Sequence, residues 1–407
     1  MRVVPIYPWS LVLAAGLAPS AAHAQSSFQG IGFLPGGQPM SYVYSLSGDG
    51  STIVATASDA GGAEQPVRWT SATGVVLIGS LPGGAPTGNG EAYGASHDGS
   101  VIVGSEPGPN GREGFRWTQA TGMVGLGNIG GVPNSAAYAL SCSIDGSVVV
   151  GRGDYTYNAS GIATAEAFRW TQATGMVGLG HLATSGLQYG WANDCSADGS
   201  VVVGYESTDN GFEGFRWTQG TGMVPLGDLP GGAVDSAAVG CSADGNTIVG
   251  WGWSNDRYEP AVWKQGTGWT SLGVLPGVAG DSFACDCTPD GSVIVGTSRL
   301  VYGGPNGWEV SGLSFIWDEV NGMRDLRDLL IIEHGVTSVA GWTLFAATGV
   351  STDGKTITGI GLNPQSEYEG WIAHLGSPTC YPDCNGDGQL TVADFGCFQT
   401  KYVLGCP

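Results

Sequence analysis

The sequence predicts an all-β protein, a seven-bladed β-propeller closed by an N-terminal strand and followed by a small calcium-binding tail. Three observations carry this. A unit of about 47 residues recurs seven times, marked by a Ser/Thr-x-Asp-Gly turn before a β-branched run, as in Ser96-His97-Asp98-Gly99-Ser100-Val101-Ile102-Val103-Gly104. The turn aspartates are Asp49, Asp98, Asp145, Asp198, Asp244, Asp290 and Asp353, spaced by 49, 47, 53, 46, 46 and 63 residues. The last copy lacks its final strand, and a matching segment stands near the N-terminus. Periods of this size belong to solenoids and propellers.

Residues 1–24 read as a secretory leader. Arg2 provides the charged start, Leu11 to Leu17 the apolar stretch, and Ala22-His23-Ala24 the small-residue cleavage site before Gln25. The apolar stretch is too short to span a bilayer, so a secreted chain, extracellular or held at the cell surface, is expected. Without the leader the chain holds 13 basic and 35 acidic residues, a net charge of −22. That balance argues against nucleic acid, which needs clustered Lys and Arg, and no polybasic patch or apolar span favours membrane binding or insertion. The 72 glycines accompany 14 Trp and regular β-branched runs, so they punctuate short strands rather than mark low complexity.

Residues 25–376 are expected to form the propeller. Each unit has four strand signals, in the second copy Ala92 to Ser96, Ser100 to Gly104, Glu113 to Thr118 and Gly122 to Leu126. Turn residues every 8–12 positions between such runs indicate antiparallel structure, and packing neighbouring four-stranded units buries a core. The seventh copy has Ser351-Thr352-Asp353-Gly354 and Glu369-Gly370-Trp371-Ile372 but no following strand. Gly30-Ile31-Gly32-Phe33-Leu34-Pro35-Gly36-Gly37, which matches Leu229-Pro230-Gly231-Gly232, is expected to supply it. An open solenoid gains nothing from sharing a unit between its ends.

Trp69, Trp117, Trp170, Trp217, Trp263 and Trp317 hold one position of the third strand. Arg68, Arg116, Arg169 and Arg216 precede four of them, with Glu113, Glu166 and Glu213 three residues before Arg. Residues repeated in most blades are expected to be scaffold, Trp filling the seams while Glu and Arg satisfy polar groups at blade edges. The repeated Asp-Gly turns lack a second acid at ligand spacing and read as turns.

The unit resembles the repeat of the HAF family of extracellular proteins over residues 28 to 376. Glu166-Ala167-Phe168 stands where that family has His-Ala-Phe, and Glu113-Gly114-Phe115 and Glu213-Gly214-Phe215 match more loosely. The resemblance implies secretion and the propeller fold. It transfers no role for His, which is absent there, and the turn departs from the Ser-x-Asp-x-Gly box of sialidase-like propellers.

In a propeller the turns joining strands one to two and three to four share one face. The longer, variable connections share the other, where binding residues usually concentrate. That face is expected to present Tyr155, Tyr157, Tyr189, Trp191, Tyr205, Trp251, Trp253, Tyr258 and Trp308 as ligand-binding residues, with Tyr302 and Trp342 nearby. Aromatic side chains with polar tips suit sugar faces or protein partners; the alternative is that they pack loop against loop. Acids such as Glu106, Asp154, Glu206, Asp209, Asp235, Asp256, Asp281 and Glu309 accompany them. Glycoside hydrolysis needs two converging carboxylates, yet no motif singles out a pair and no catalytic residue is assigned. His97, His181, His334 and His374 fall at unrelated positions, and no phosphate loop or nucleophile elbow occurs.

Residues 377–407 change texture. Asp383-Cys384-Asn385-Gly386-Asp387-Gly388-Gln389-Leu390-Thr391-Val392-Ala393-Asp394 is an EF-hand-like Asp-x-Asn-x-Asp-Gly loop with an acid at position twelve. The spacing wraps Asp383, Asn385, Asp387, the Gln389 carbonyl and Asp394 around one Ca2+. Phe395, Phe398 and Tyr402 follow at helical spacing. The tail resembles half of a dockerin, which implies an anchoring or docking partner, although a full dockerin has two such units. Cys380, Cys384, Cys397 and Cys406 bracket the loop and allow three disulfide pairings. Cys142, Cys195, Cys241 and Cys287 share one inner-strand position, either bridging blades or buried as thiols, and Cys285 makes the total odd.

The functional expectation is a secreted, non-catalytic protein that binds a glycan or protein through the propeller and is anchored by its calcium-loaded tail. The alternatives are a secreted polysaccharide-degrading enzyme and a structural envelope protein.

Overall fold

The computed structural model describes residues 25–84, 89–109, 111–131, 135–155, 164–184, 186–278, 280–301 and 311–376. They form seven four-stranded antiparallel sheets, each ordered from an inner strand outward. Six are consecutive in the chain, as in blade 2, built from Glu91–Ala95, Val101–Gly108, Gly111–Thr118 and Gly122–Gly125. Its second and third strands extend beyond the expected limits into a long hairpin reaching Gly108↔Gly111.

Blade 7 joins the two ends of the chain. Thr343–Val350, Thr356–Leu362 and Tyr368–His374 are completed by Ser27–Gly30, with Phe28 opposite Ala373. The closing strand thus lies earlier than the expected segment 30–37. Gly32 and Gly36 have φ of 81° and 78°, a left-handed backbone that a strand does not accept, so residues beyond Gly30 form the connection into blade 1. The 63-residue spacing before Asp353 is explained in part by short helical turns at Leu326–Asp328, Leu329–Glu333 and Thr337–Val339, inserted between blades 6 and 7.

The repeated residues hold blades together. In the turn of blade 4, Ser196 Oγ donates to Asp198 Oδ1 at 2.7 Å and accepts from Val201 N at 3.0 Å, while Ser200 N donates to Asp198 Oδ1 at 2.9 Å. Gly199 sits at φ 65° to close this turn. Arg116, Arg169 and Arg216 each donate from Nε, at 2.9 Å, to the turn glycine carbonyl of the next blade: Gly146, Gly199 and Gly245. Glu166, Glu213 and Glu369 accept from Gly180, Gly227 and Gly32 N at 2.8–2.9 Å, latching the chain as it leaves a blade. Both side chains are structural, as their repetition implied. Phe115, Phe168, Phe215, Phe315 and Trp371 are fully buried at corresponding positions of their blades.

Backbone bonds also circle the axis. His97 N donates to Ile144 O, Ile144 N to Ala197 O, Ala197 N to Ala243 O, and Ala243 N to Pro289 O, at 2.8–2.9 Å. Thr352 N donates to Gly48 O and Asp49 N to His97 O, so only the link that Pro289 would donate, lacking an N–H, is absent from the circle. Cys142, Cys195, Cys241, Cys285 and Cys287 are free thiols, so the bridging alternative for the inner-strand cysteines does not hold. Cys380, Cys384, Cys397 and Cys406 lie outside the described residues.

Candidate functional site

Counting back from each turn aspartate separates the scaffold from its variable lining. Five residues before the aspartate stand Tyr44, Tyr93, Leu140, Asn193, Val239, Cys285 and Thr348, and all line a chamber of about 400 Å³ on the axis. Three residues before it stand Leu46, Ala95, Cys142, Cys195, Cys241, Cys287 and Val350, which line a second chamber of about 270 Å³ toward the turn face. Ser45, Ala95, Ser141, Asp194 and Asp286 border both. The chambers therefore meet at a waist.

The waist is where the inner strands bulge, with register shifts such as Ala192/Asp194 and Ala284/Asp286. A bulge re-aims one residue per strand, and here it brings two carboxylates to the axis. Asp194 accepts from Ser141 Oγ at 2.8 Å and Cys241 N at 3.0 Å; Asp286 accepts from Cys287 N at 2.8 Å and Val350 N at 2.9 Å. Both acids keep an edge on the chambers, yet the surrounding strands screen them from bulk water. Burial, with a smaller contribution from Asp194, pushes the Asp286 carboxyl up to about 7, and burial also raises Asp194.

A pH dependence follows. A raised carboxyl favours the folded state fully only below its unfolded value near 3.9, and that contribution is lost as pH rises to about 7. Glu106, 2% exposed and raised to about 7 by burial, acts in the same direction. The turn carboxylates Asp98, Asp145, Asp198 and Asp290, held near 2 by hydrogen bonds, act oppositely and lose their contribution as pH falls. Thermal midpoints are expected to be highest near pH 4–5 and to fall toward pH 8. Asp286→Asn should flatten that decline, and an unchanged profile would remove Asp286 as its source.

The chamber wall toward the loop face is aromatic. Tyr44 and Tyr93 meet edge to face at 5.1 Å, and both hydroxyls donate to Glu91, which also pairs with Arg112. Across from them Trp191 stacks on Tyr205 at 5.9 Å with an interplanar angle of 17°. Arg152, 8% exposed, lies 4.2 Å from the Trp191 centroid and 4.5 Å from that of Tyr138, and donates to Tyr189 Oη at 2.8 Å. Cation–π contact of this kind fixes the rings before any ligand arrives. Trp191 Nε1 and Thr348 Oγ1 have no hydrogen-bond partner among the described residues.

Of the aromatics expected at the site, Trp191 and Tyr205 line this chamber and Tyr189 packs beside them. Trp251, Trp253 and Tyr258 form a separate cluster, Tyr258 lying 4.9 Å from Trp251 and 4.7 Å from Trp253, both edge to face, with Phe283 alongside. Tyr258 Oη donates to Asp235 at 2.6 Å. These three pack among themselves on the second and third strands of blade 5, Thr247–Ser254 and Arg257–Lys264. Trp342 is 9% exposed and meets Phe28 at 5.2 Å, so it belongs to the core under blade 7. Tyr157 and Trp308 lie outside the described residues, as do Tyr302 and the side chain of Tyr155. So do the calcium-loop residues Asp383, Asn385, Asp387, Gln389 and Asp394. Among the described residues no group of three His, Cys, Asp or Glu could hold a metal ion.

Sequence reasoning missed Tyr44, Tyr93, Asn193, Asp194 and Asp286 because it looked only at loops. The available signal was irregularity inside a repeated strand: five and four residues before each aspartate, identity changes from blade to blade.

No family model matches the chain. No curated protein matches it either. Among solved structures it is similar to an oligogalacturonate lyase from Vibrio parahaemolyticus, at 10% identity and a TM-score of 0.51 over 86% of this chain and 97% of that one. It is equally similar to the β-propeller domain of the trilobed protease from Pyrococcus furiosus, described as having an open velcro topology: 10% identity, TM-score 0.51, 86% of this chain and 99% of that one. TolB from Acinetobacter baumannii is 14% identical at a TM-score of 0.38, over 56% of this chain and 53% of its own, so the chain spans about half its length. At these identities the likeness to the lyase and to the protease domain shows the propeller fold alone.

Proposed function

We propose that this protein is an exported, non-catalytic binding protein whose axial chamber takes a glycan from the loop face. The observation that supports it is the wall of Tyr44, Tyr93, Trp191 and Tyr205 around a polar lining of Asn193, Ser141 and Thr348. Aromatic rings pack against the C–H faces of sugars, and the polar side chains of Asn193 and Ser141 in the lining suit sugar hydroxyls. The test is a screen of the full chain against neutral, acidic and amino glycans, with product analysis of every glycan retained. Saturable binding without shortening of the glycan is expected. No bound glycan would overturn the reading.

A hydrolytic reading would draw on Asp194 and Asp286, since paired carboxylates with a raised pKa suit acid–base work. Against it, both oxygens of each acid accept backbone or hydroxyl hydrogen bonds, three of the four donors from a neighbouring blade and the fourth from the next residue. Release of reducing ends that disappears in Asp194→Asn would decide for the enzyme.

In this proposal the tail binds one Ca2+ through Asp383, Asn385, Asp387, the Gln389 carbonyl and Asp394, and anchors the ring to a docking partner or the cell surface. Titration calorimetry should give one calcium per chain, lost in Asp387→Ala. Retained binding in that variant would remove the loop as the site.

A further inference from the structure

We propose that the glycan taken by the axial chamber carries a free amine, its ammonium group lodged at the waist between Asp194 and Asp286. This rests on the glycan reading above and narrows it to hexosamine-containing chains.

Charge is the first argument. Among the described residues no Lys, Arg or His lines the loop-face chamber, while two carboxylates from blades 4 and 6 do. Two arginines near its wall are already committed. Arg152 lies behind Trp191 and Tyr138, and Arg112 bonds to Glu91, Ser105 Oγ and the Asn89 carbonyl. Two like charges in a screened site disfavour each other; burial is the main cause that raises the Asp286 carboxyl, and Asp194 adds to it. A neutral sugar leaves that repulsion in place; an ammonium relieves it.

Capacity is the second. Each carboxylate oxygen can accept about two hydrogen bonds; Asp286 uses one per oxygen, while Asp194, besides Ser141 Oγ and Cys241 N, is also approached by Cys195 N and the Cys241 thiol. Lone pairs remain at Asp286 for a donor arriving along the axis, and an ammonium brings three. The aromatic wall is the third. The negative faces of Tyr and Trp rings attract cations, so the path to the waist favours an amine. Acetylation of the amine removes the charge and adds bulk where the two chambers meet.

The test compares glucosamine tetramer, its N-acetylated form and a neutral glucose tetramer by titration calorimetry against the full chain, at neutral pH and about 0.15 M salt to screen the acidic surface. The free-amine tetramer is expected to bind with one site per chain and at least tenfold more tightly than the other two. Asp194→Asn and Asp286→Asn should each abolish that preference, whereas Asp209→Asn and Asp256→Asn, on the exposed rim, should not. Should an axial variant fail to fold, hydrogen exchange on the unaltered chain takes its place, with amine-dependent protection expected at 191–194 and 284–287. Equal affinity for the three tetramers, a preference for the acetylated or neutral one, or a preference retained in the axial variants would overturn the amine while leaving the glycan reading intact. Binding of none of the three, or of any glycan in the wider screen, would sink both.

Discussion

Replacing Phe28 by alanine is expected to destabilise the ring by about 3–5 kcal/mol, the usual cost of truncating a buried aromatic. Phe28 is 4% exposed and packs edge to face on Trp342 at 5.2 Å and against Trp371 at 5.8 Å. It is the one large side chain that the four-residue closing strand contributes to the blade 7 core. A strand this short is held by its pairing with 371–374 and by this anchor, so losing the anchor frees the N-terminal end of the ring. Val124→Ala provides the comparison. Val124 sits on an equivalent outer strand but is 49% exposed, and its truncation should stay within about 0.5 kcal/mol. Urea unfolding measures both, and hydrogen exchange in the Phe28 variant should quicken first at 371–374. Equal costs for the two substitutions would mean that the ring does not depend on this closure.

Trp191→Ala should weaken glycan binding by about 2 kcal/mol or more, roughly thirtyfold, as expected of a central aromatic anchor. The indole lines the chamber, stacks on Tyr205 and carries Arg152 against its ring, so removing it takes away both a contact surface and the element that holds its neighbours. Trp253→Ala is the informative contrast. Trp253 packs against Tyr258 and does not line the chamber. Calorimetric affinity should change little there, and a larger loss for Trp253 than for Trp191 would place the ligand on the blade 5 cluster instead.

The ring was legible because its signals are periodic. Seven Asp-Gly turns, a Trp at one position of six third strands, and a last copy lacking one strand leave few topologies open. The scaffold role of Glu and Arg was legible for the same reason, and the bonds from Arg116, Arg169 and Arg216 to the next blade's turn bear it out. The closing strand was placed a few residues late because the Leu-Pro-Gly-Gly resemblance marks the connection after a strand, not the strand. Trp342 was drawn to the loop face by its place in a long connection, yet the inserted helical turns fold it under blade 7. The chamber was the largest omission. Whether a residue of an inner strand faces the axis depends on a bulge, and a bulge is set by backbone contacts with the second strand. Gly204 shows this, since a Cβ there would collide with the Trp191 carbonyl. Such a contact joins residues far apart in sequence, and the glycine alone does not announce it.

The protein's recognition residues, on this account, are the few inner-strand positions its repeat leaves free, gathered at the loop-face end of the axis. The most direct test is the hydrogen-exchange footprint of a retained glycan on the full chain. Protection is expected in 41–46, 91–95 and 190–195, with 201–205 beside them, and not in the turns at 97–100 or 197–200. Protection confined to those turns, or to the outer strands, would contradict the account and move the binding surface away from the axial chamber.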